Sequence, residues 1–104
     1  MTAWLLLLLE SGASYGYELR RALGAHRLAV DASVLYRRLR QLENDGWIES
    51  RWMQPAAGPR RRFYRLTASG RRNLDEIAAL IKDIRDLNDM FVQTHEDVVR
   101  ARSA

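Results

Sequence analysis

The side chains best suited to binding chemistry in this sequence are hydrogen-bond donors spaced along residues 31–47, DASVLYRRLRQLENDGW. If this segment is a helix, Leu35, Leu39 and Leu42 share one face, because residues three and four apart lie above one another. The rest of the circumference carries a hydroxyl, a flat aromatic ring, guanidinium groups and an amide, which suit phosphates and base edges. These residues are Ser33, Tyr36, Arg37, Arg40 and Gln41. An ordinary amphipathic surface helix has the same pattern, so the rest of the chain must decide between the two.

The basic charge of the chain is concentrated in its middle. The 104 residues carry a net charge of +4, and residues 31–70 contain eight arginines against four acidic residues. All basic residues except Lys82 are arginines, which form bidentate contacts with phosphate or guanine, although a GC-rich genome produces the same bias. The sequence has no cysteine, which excludes disulfides, thiolate chemistry and cysteine-based zinc sites.

The length of the chain predicts one small domain and leaves dimerisation open. Chains of this size bury a modest fraction of their surface, so a partner subunit often completes the core. The first predicted helix, residues 3–11, is apolar nearly all round and must be covered on more than one side. Its apolar run is far shorter than the roughly 20 residues that a spanning helix needs, and no signal-peptide features flank it. We therefore expect a soluble, cytoplasmic protein.

Two further helices follow from capping residues. Ser14 is a good N-cap for a helix that begins at Tyr15. Asp31 or Ser33 caps the third helix, which Asn44-Asp45-Gly46 ends. Helices two and three are therefore short and separated by a brief connection.

A strand pattern begins after the third helix. Residues 47–53 and 62–66 alternate as strands, and the loop between them contains two prolines, a glycine and paired arginines. Three helices followed by a basic-tipped hairpin is the order of a winged helix-turn-helix, a mainly α (α+β) fold with a two-stranded wing. We assign residues 1–67 to this DNA-binding domain and residues 68–104 to a C-terminal dimerisation helix.

The C-terminal helix carries a second apolar pattern. Thr67 can cap a helix that runs from about Ala68 to near Arg100, and its apolar positions alternate three and four apart, the heptad spacing of a coiled-coil seam. So long a helix cannot bury such a seam within so small a domain, so we expect a homodimer. Asn88 falls at a core position, where it either fixes the register or faces solvent. The expected dimer contacts, two of them in the first helix, are Leu5, Leu8, Leu74, Ile77, Ile81, Ile84, Asn88, Phe91 and Val98.

Together these motifs resemble the PadR family of bacterial transcriptional regulators. The matching stretches are LLESGASYGYEL at 8–19, LYRRLRQLENDG at 35–46 and GPRRRFYRLT at 58–67, followed by Gly70. They cover residues 4 to about 74 in the order and spacing of the family. The resemblance implies a winged-helix domain that dimerises through its C-terminal helix, usually as a repressor and often relieved by a small ligand. The single C-terminal helix is similar to the shorter subtype of the family.

The chain departs from the family pattern at the start of the third helix. The family usually has Gly-Thr before Leu-Tyr and proline after it, whereas this chain has Ser33-Val34 before and Arg37 after. These positions begin the recognition helix, which puts the family's usual operator in doubt for this chain.

The predicted DNA contacts come from three segments. In a helix-turn-helix, the first residues of the recognition helix meet base edges while other groups hold phosphates. Tyr36 matches the family's DNA-contacting tyrosine, with packing as its competing role, and Arg37 contacts either guanine, a phosphate or solvent. Arg62 either joins the basic hairpin tip or pairs with an acidic residue. The full predicted set is Ser14, Tyr15, Ser33, Val34, Tyr36, Arg37, Arg40, Gln41, Arg60, Arg61 and Arg62.

The resemblance also implies an effector site, because relatives can hold aromatic ligands between the first helix and the C-terminal seam. The candidate lining residues are Trp4, Leu8, Met90, Phe91 and His95, and the expected ligand is small and aromatic or hydrophobic. The alternative is that these side chains are plain interface core.

Enzyme functions find no support in the sequence. His26 and His95 have no partner at metal-ligand spacing, and neither a phosphate-binding loop nor a nucleophile elbow occurs. We therefore expect no enzymatic activity, no metal and no cofactor. The alternatives to a dimeric DNA-binding repressor are a protein-interaction module on the same scaffold and a non-specific, nucleoid-type DNA binder.

Overall fold

The computed structural model describes residues 1–103 and consists of four helices and a two-stranded antiparallel sheet. In chain order the elements are α1 (Thr2–Ser11), α2 (Gly16–Ala25), α3 (Ala32–Asn44), β1 (Ile48–Met53), β2 (Arg61–Leu66) and α4 (Ala68–Ser103). This order confirms the predicted mainly α fold with a β wing. Within the described residues, no helix is both long and apolar enough to cross a membrane.

The leucines of α1 form the centre of the core. Leu5 and Leu6 are fully buried and Leu8 and Leu9 nearly so, because α2, β2 and α4 pack around them. Burying a leucine contributes roughly 1.5–3 kcal/mol to stability. Because three other elements cover α1, leucines on most of its sides are buried and stabilise the fold. Leu5 therefore has no surface left for the predicted dimer contact, and Leu8 is also mainly a core residue of its own chain.

The start of α2 is set by Glu18. The Tyr15 N–H donates to Glu18 Oε1 at 3.0 Å, so Tyr15 is the N-cap and the helix begins one residue later than predicted. Ser14, the predicted cap, instead donates its hydroxyl to the Gly12 carbonyl at 3.1 Å. The Glu18 carboxylate also lies in the first turn, where it interacts favourably with the helix dipole.

The wing is attached to the core along one face. β1 and β2 pair antiparallel with Trp52 opposite Arg62, and Ile48 and Tyr64 are buried. The Tyr64 N–H donates to the Ser14 carbonyl at 2.8 Å. This bond joins the wing to the entrance of α2.

Thr67 holds the junction between the wing and α4. Its hydroxyl donates to the Gly46 carbonyl at 2.6 Å and accepts from the Gly70 N–H at 3.0 Å, and its own N–H donates to the Trp47 carbonyl at 3.1 Å. Thr67 therefore caps α4 as predicted and ties it to the end of α3. Gly70 is buried so closely against Trp47 that a β-carbon there would overlap the Trp47 carbonyl oxygen.

The last helix starts inside the core and then leaves it. Leu74 is buried and Ile77 packs against the core, and Arg71 Nε lies 3.2 Å from Glu10 Oε1 on α1. Beyond Ile77 the large apolar side chains of the predicted seam are exposed. The molecule measures 70 Å along its longest axis but only 26 and 21 Å along the others. The seam is therefore uncovered within one chain.

Replacing Gly70 with alanine should lower the free energy of unfolding by about 1–3 kcal/mol, because the new methyl group overlaps a main-chain oxygen in a packed region. The matched control is Gly24→Ala, since Gly24 lies inside α2 with open space at its β-position. That change should raise the free energy of unfolding by about 0.5–1 kcal/mol. Urea unfolding followed by circular dichroism measures both variants, and equal stabilities would contradict the close contact at Trp47.

Candidate nucleic-acid interface

The third helix presents one buried and one exposed face. It begins after Asp31, one of its two predicted cap residues. Leu35 and Leu39 are fully buried and Leu42 nearly so, which confirms the predicted core face. The opposite face is exposed at the predicted contact residues Ser33, Val34, Arg37, Arg40 and Gln41.

Tyr36 packs against the start of α2, the competing role considered for it, and is also partly exposed. Its ring lies against the backbone of Gly16, where a β-carbon would lie 2.5 Å from the Tyr36 hydroxyl oxygen. The residue is nevertheless 39% exposed. Gly16, the first residue of α2, therefore allows the Tyr36 ring to cross the start of α2 while part of its surface still faces outward.

A groove of about 880 Å³ lies between α3, the start of α2 and the wing. Its walls are mainly aromatic rings and guanidinium groups, which come from three separate segments of the chain. The aromatic residues are Tyr15, Tyr17, Tyr36, Trp52 and Tyr64, and the basic residues are Arg40, Arg60, Arg61 and Arg62. The fold thus brings together predicted contact residues that are far apart in sequence.

Glu43 partly neutralises one arginine of the groove. Arg62 Nη2 lies 3.6 Å from Glu43 Oε2, Arg62 Nε donates to Ser50 Oγ at 2.8 Å, and the Ser50 hydroxyl donates to Glu43. Of the two roles considered for Arg62, pairing with an acidic residue is the one observed. Because both partners are part-exposed, the pair adds at most about 1 kcal/mol to stability. Its main consequence is that β2 is connected to α3 and that the Arg62 side chain is oriented.

The other two arginines of the wing tip lie over aromatic rings. The guanidinium carbon of Arg60 lies 5.3 Å from the centre of the Trp52 ring, and that of Arg61 lies 5.6 Å from the centre of the Tyr15 ring. Both side chains are exposed, and within residues 1–103 neither has an ion-pair partner. The tip therefore presents two uncompensated positive charges.

Tyr64 lies at the groove as a neutral phenol. Burial raises its pKa, because the phenolate would lose its hydration. The positive charge of Arg62 opposes this shift, whereas nearby Tyr36 and Glu43 add to it. The net result is that Tyr64 keeps its proton at neutral pH.

Sequence reasoning missed Gly16, Tyr17, Glu43, Trp52 and Tyr64 as parts of this site. Glu43 lies seven residues after Tyr36, a spacing that returns to the same helix face and could have placed it in the groove. The alternation of β1 likewise puts Trp52 on the same face as Ser50. No local signal predicts the contact between Gly16 and Tyr36, because it joins two helices.

The candidate effector residues do not meet within one chain. Trp4 stacks on His26 with ring centres 4.3 Å apart, whereas Phe91 stacks on His95 with ring centres 6.4 Å apart. With a rise of about 1.5 Å per residue, Phe91 lies about 20 Å beyond Ile77, where α4 leaves the core. A pocket that combines both groups needs a second chain.

Comparisons with known proteins identify relatives of this fold. Residues 5–76 match the model of the transcriptional regulator PadR-like family. The chain is 29% identical to a PadR-like transcription factor from Bacteroides fragilis over 86% of this chain and 87% of that one, with a TM-score of 0.76. It is 30% identical to a PadR family transcriptional regulator from Eggerthella lenta over 85% and 80% of the two chains, with a TM-score of 0.70. Bacillus subtilis PadR, solved in complex with operator DNA, shares the fold at 24% identity and a TM-score of 0.67, over 74% of this chain and 45% of that one.

Proposed function

Because the chain belongs to the PadR-like family of transcriptional regulators, we propose that it binds operator DNA as a dimer and represses transcription. The family consists of transcriptional regulators and not of enzymes, in agreement with the sequence prediction. The observation that carries the proposal is the groove between α3 and the wing, where arginines and aromatic rings from three segments face the same space. The operator complex of Bacillus subtilis PadR, which has the same fold, supports it.

In the proposed complex, the first turn of α3 enters the major groove, as the recognition helix does in helix-turn-helix proteins. Ser33 and Val34 in this turn and Arg37 just after it are exposed and would meet base edges, and Tyr36, Arg40 and Gln41 on the same helix would add further contacts. The first three residues are also those that depart from the family pattern. We therefore expect the operator of this chain to differ from the one that the family usually reads.

Phosphates would be held on either side of α3. Arg60 and Arg61 are uncompensated at the wing tip, whereas Arg62 is already paired with Glu43 and would contribute less. At the start of α2, the Glu18 carboxylate accepts from the Ser14 and Tyr15 amides. The Ser14 hydroxyl also donates to the Gly12 carbonyl, so a phosphate there would be held by the Tyr15 hydroxyl and by Arg61 rather than by those groups.

The promoter upstream of the chain's own gene should bind at least about a thousandfold more tightly than scrambled DNA at physiological salt, measured by fluorescence anisotropy.

Arg60→Ala should weaken binding to both DNAs alike and lower the slope of log affinity against log salt by about one unit, because one phosphate contact is lost. Arg65→Ala is the matched control, since Arg65 also belongs to the wing but pairs with Glu49 and does not line the groove.

Three other outcomes would contradict parts of this proposal. Salt-dependent binding with little preference for the promoter would favour a non-specific, nucleoid-type binder. An absence of DNA binding would favour a protein-interaction module on the same scaffold. A sequence-selective loss in Arg60→Ala with an unchanged salt slope would exclude a phosphate contact by Arg60.

The proposed dimer uses the exposed apolar face of α4. The side chains that recur there at heptad spacing and are exposed in the single chain are Ile81, Ile84, Phe91 and Val98. Association with a second copy would remove this area from water, at about 25 cal/mol per Å² of apolar surface. Asn88 lies on the same face, where a single buried amide can set the register of a coiled coil.

Ile84→Glu should convert the dimer into a monomer, because it places an unpaired carboxylate in an apolar interface. Lys82→Glu is the matched control, since it introduces the same side chain on α4 outside the heptad seam and should leave the dimer intact. Sedimentation velocity at equal protein concentration measures both variants. A monomeric wild-type protein would exclude the dimer.

The proposal includes a small aromatic or hydrophobic effector between α1 of one subunit and α4 of the other. Trp4 is half-buried at the edge of the core, and Phe91 and Met90 are exposed on α4. A partner helix that passes α1 would enclose a space lined by these side chains together with Leu8 and His95. The alternative is that they pack directly against one another as interface core.

Planar aromatic compounds should quench the fluorescence of Trp4 on titration, because the ligand would stack beside the indole ring. Trp47 and Trp52 also fluoresce, so the matched control is Trp4→Phe, which should lose the response. A varied panel of compounds that leaves the Trp4 signal unchanged would favour a plain interface core.

A further inference from the structure

Trp52 is an exposed tryptophan that contacts two arginines of the wing. It lies on β1 opposite Arg62 and is 53% exposed. The guanidinium carbons of Arg60 and Arg62 lie 5.3 and 5.4 Å from the centre of a Trp52 ring. Trp52 is therefore a surface residue of the wing whose ring is approached by two cations.

We propose that Trp52 is a positioning residue, which holds the guanidinium group of Arg60 in place for a phosphate of bound DNA. The inference rests on the proposed DNA binding and deepens it, since it names the side chain that orients the wing tip. The attraction is that of a cation for the negative face of an aromatic ring, which is strongest for tryptophan.

The two arginines on Trp52 differ in their other partners. Arg62 is anchored by Glu43 and by Ser50, so its charge is partly compensated and its position is set from α3. Arg60 has no acidic partner within residues 1–103. Trp52 thus links an anchored arginine to an uncompensated one, and a continuous series of contacts connects α3 to the wing tip.

The wing tip needs such support because Arg60 lies at the end of a mostly exposed loop between β1 and β2. Within the loop, Gln54 Nε2 donates to the Gly58 carbonyl at 3.2 Å, and Gly58 adopts a left-handed conformation with φ 101°. An arginine at the end of such a loop has many rotamers. If the Arg60 side chain became ordered only when DNA binds, the affinity for DNA would be about two- to tenfold weaker than with a side chain already held in place.

Arg61 provides an internal comparison. It is the neighbouring residue and is equally basic, but its guanidinium group lies over Tyr15 at the start of α2 rather than over Trp52. A loss of the Trp52 ring should therefore affect the contribution of Arg60 and leave that of Arg61 unchanged.

The test is a double-mutant cycle on the full chain with a mixed-sequence DNA duplex at low salt, since a phosphate contact does not depend on sequence. Trp52→Leu should weaken binding about two- to tenfold and should have little further effect in the Arg60→Ala background. In the Arg61→Ala background it should have its full effect. Trp52→Phe keeps a flat ring and should retain most of the affinity.

Other results would overturn the inference. If the loss from Trp52→Leu persists in the Arg60→Ala background, Trp52 acts on DNA directly or through Arg62, which lies over the same ring, and not through Arg60. If Trp52→Phe binds DNA as weakly as Trp52→Leu although both variants melt at the wild-type temperature, a flat ring at position 52 is not what maintains the affinity. Wild-type protein that fails to bind the mixed duplex but binds the promoter would overturn only this inference, and wild-type protein that binds neither DNA would overturn it together with the proposed function. Binding without promoter preference would overturn only the sequence-specific function.

Discussion

The burial of α1 is the constraint on which the rest of the structure depends. Its leucines form the centre of the core, and α2, β2 and α4 are each in contact with it. A helix that is apolar nearly all round cannot be left facing water, so the other elements must surround it. α3 is placed in turn by α2 and β1, with which it is in contact. The groove therefore depends on core packing together with the contacts that cross it, those of Tyr36 with Gly16 and of Arg62 with Glu43.

Charge compensation separates the arginines that hold the fold together from those available to a partner. Arg62 pairs with Glu43, Arg65 with Glu49 and Arg71 with Glu10, and the three pairs join β2 to α3, β2 to β1 and α4 to α1. At the wing tip the uncompensated side chains are Arg60 and Arg61. Within residues 1–103, Arg37 and Arg40 on the exposed face of α3 also lack an acidic partner. Since paired charges contribute little to a long-range field, positive potential is expected both at the wing tip and along this face of α3.

The C-terminal helix connects the winged-helix part of the molecule to the proposed dimer seam without a break. Two contacts fix its start. The Thr67 hydroxyl donates to the Gly46 carbonyl just after α3, and Gly70 lies in close contact with Trp47. In the proposed dimer, a rigid joint at this point would transmit the geometry of the seam to both recognition helices. The spacing of two operator half-sites would then follow from the dimer itself.

Local patterns were sufficient to predict the order of elements, the leucine face of α3, the Thr67 cap and the basic wing. Each of these depends on neighbours a few residues apart, through helical or strand periodicity and capping. The predicted start of α2 was one residue early although its cause is equally local, since Glu18 accepts from the Tyr15 N–H three residues before it and makes Tyr15 the cap.

The sequence by itself thus determined which residues form helices and strands and which face of each is apolar. Only the tertiary structure decided what each face meets. Leu5 is fully buried in the core, and the Tyr36 ring crosses Gly16. One series of contacts joins Glu43, Arg62, Trp52 and Arg60. The physical reason is that periodicity specifies the direction of a side chain from its own backbone. Its partner is set by how separate elements pack around the shared core.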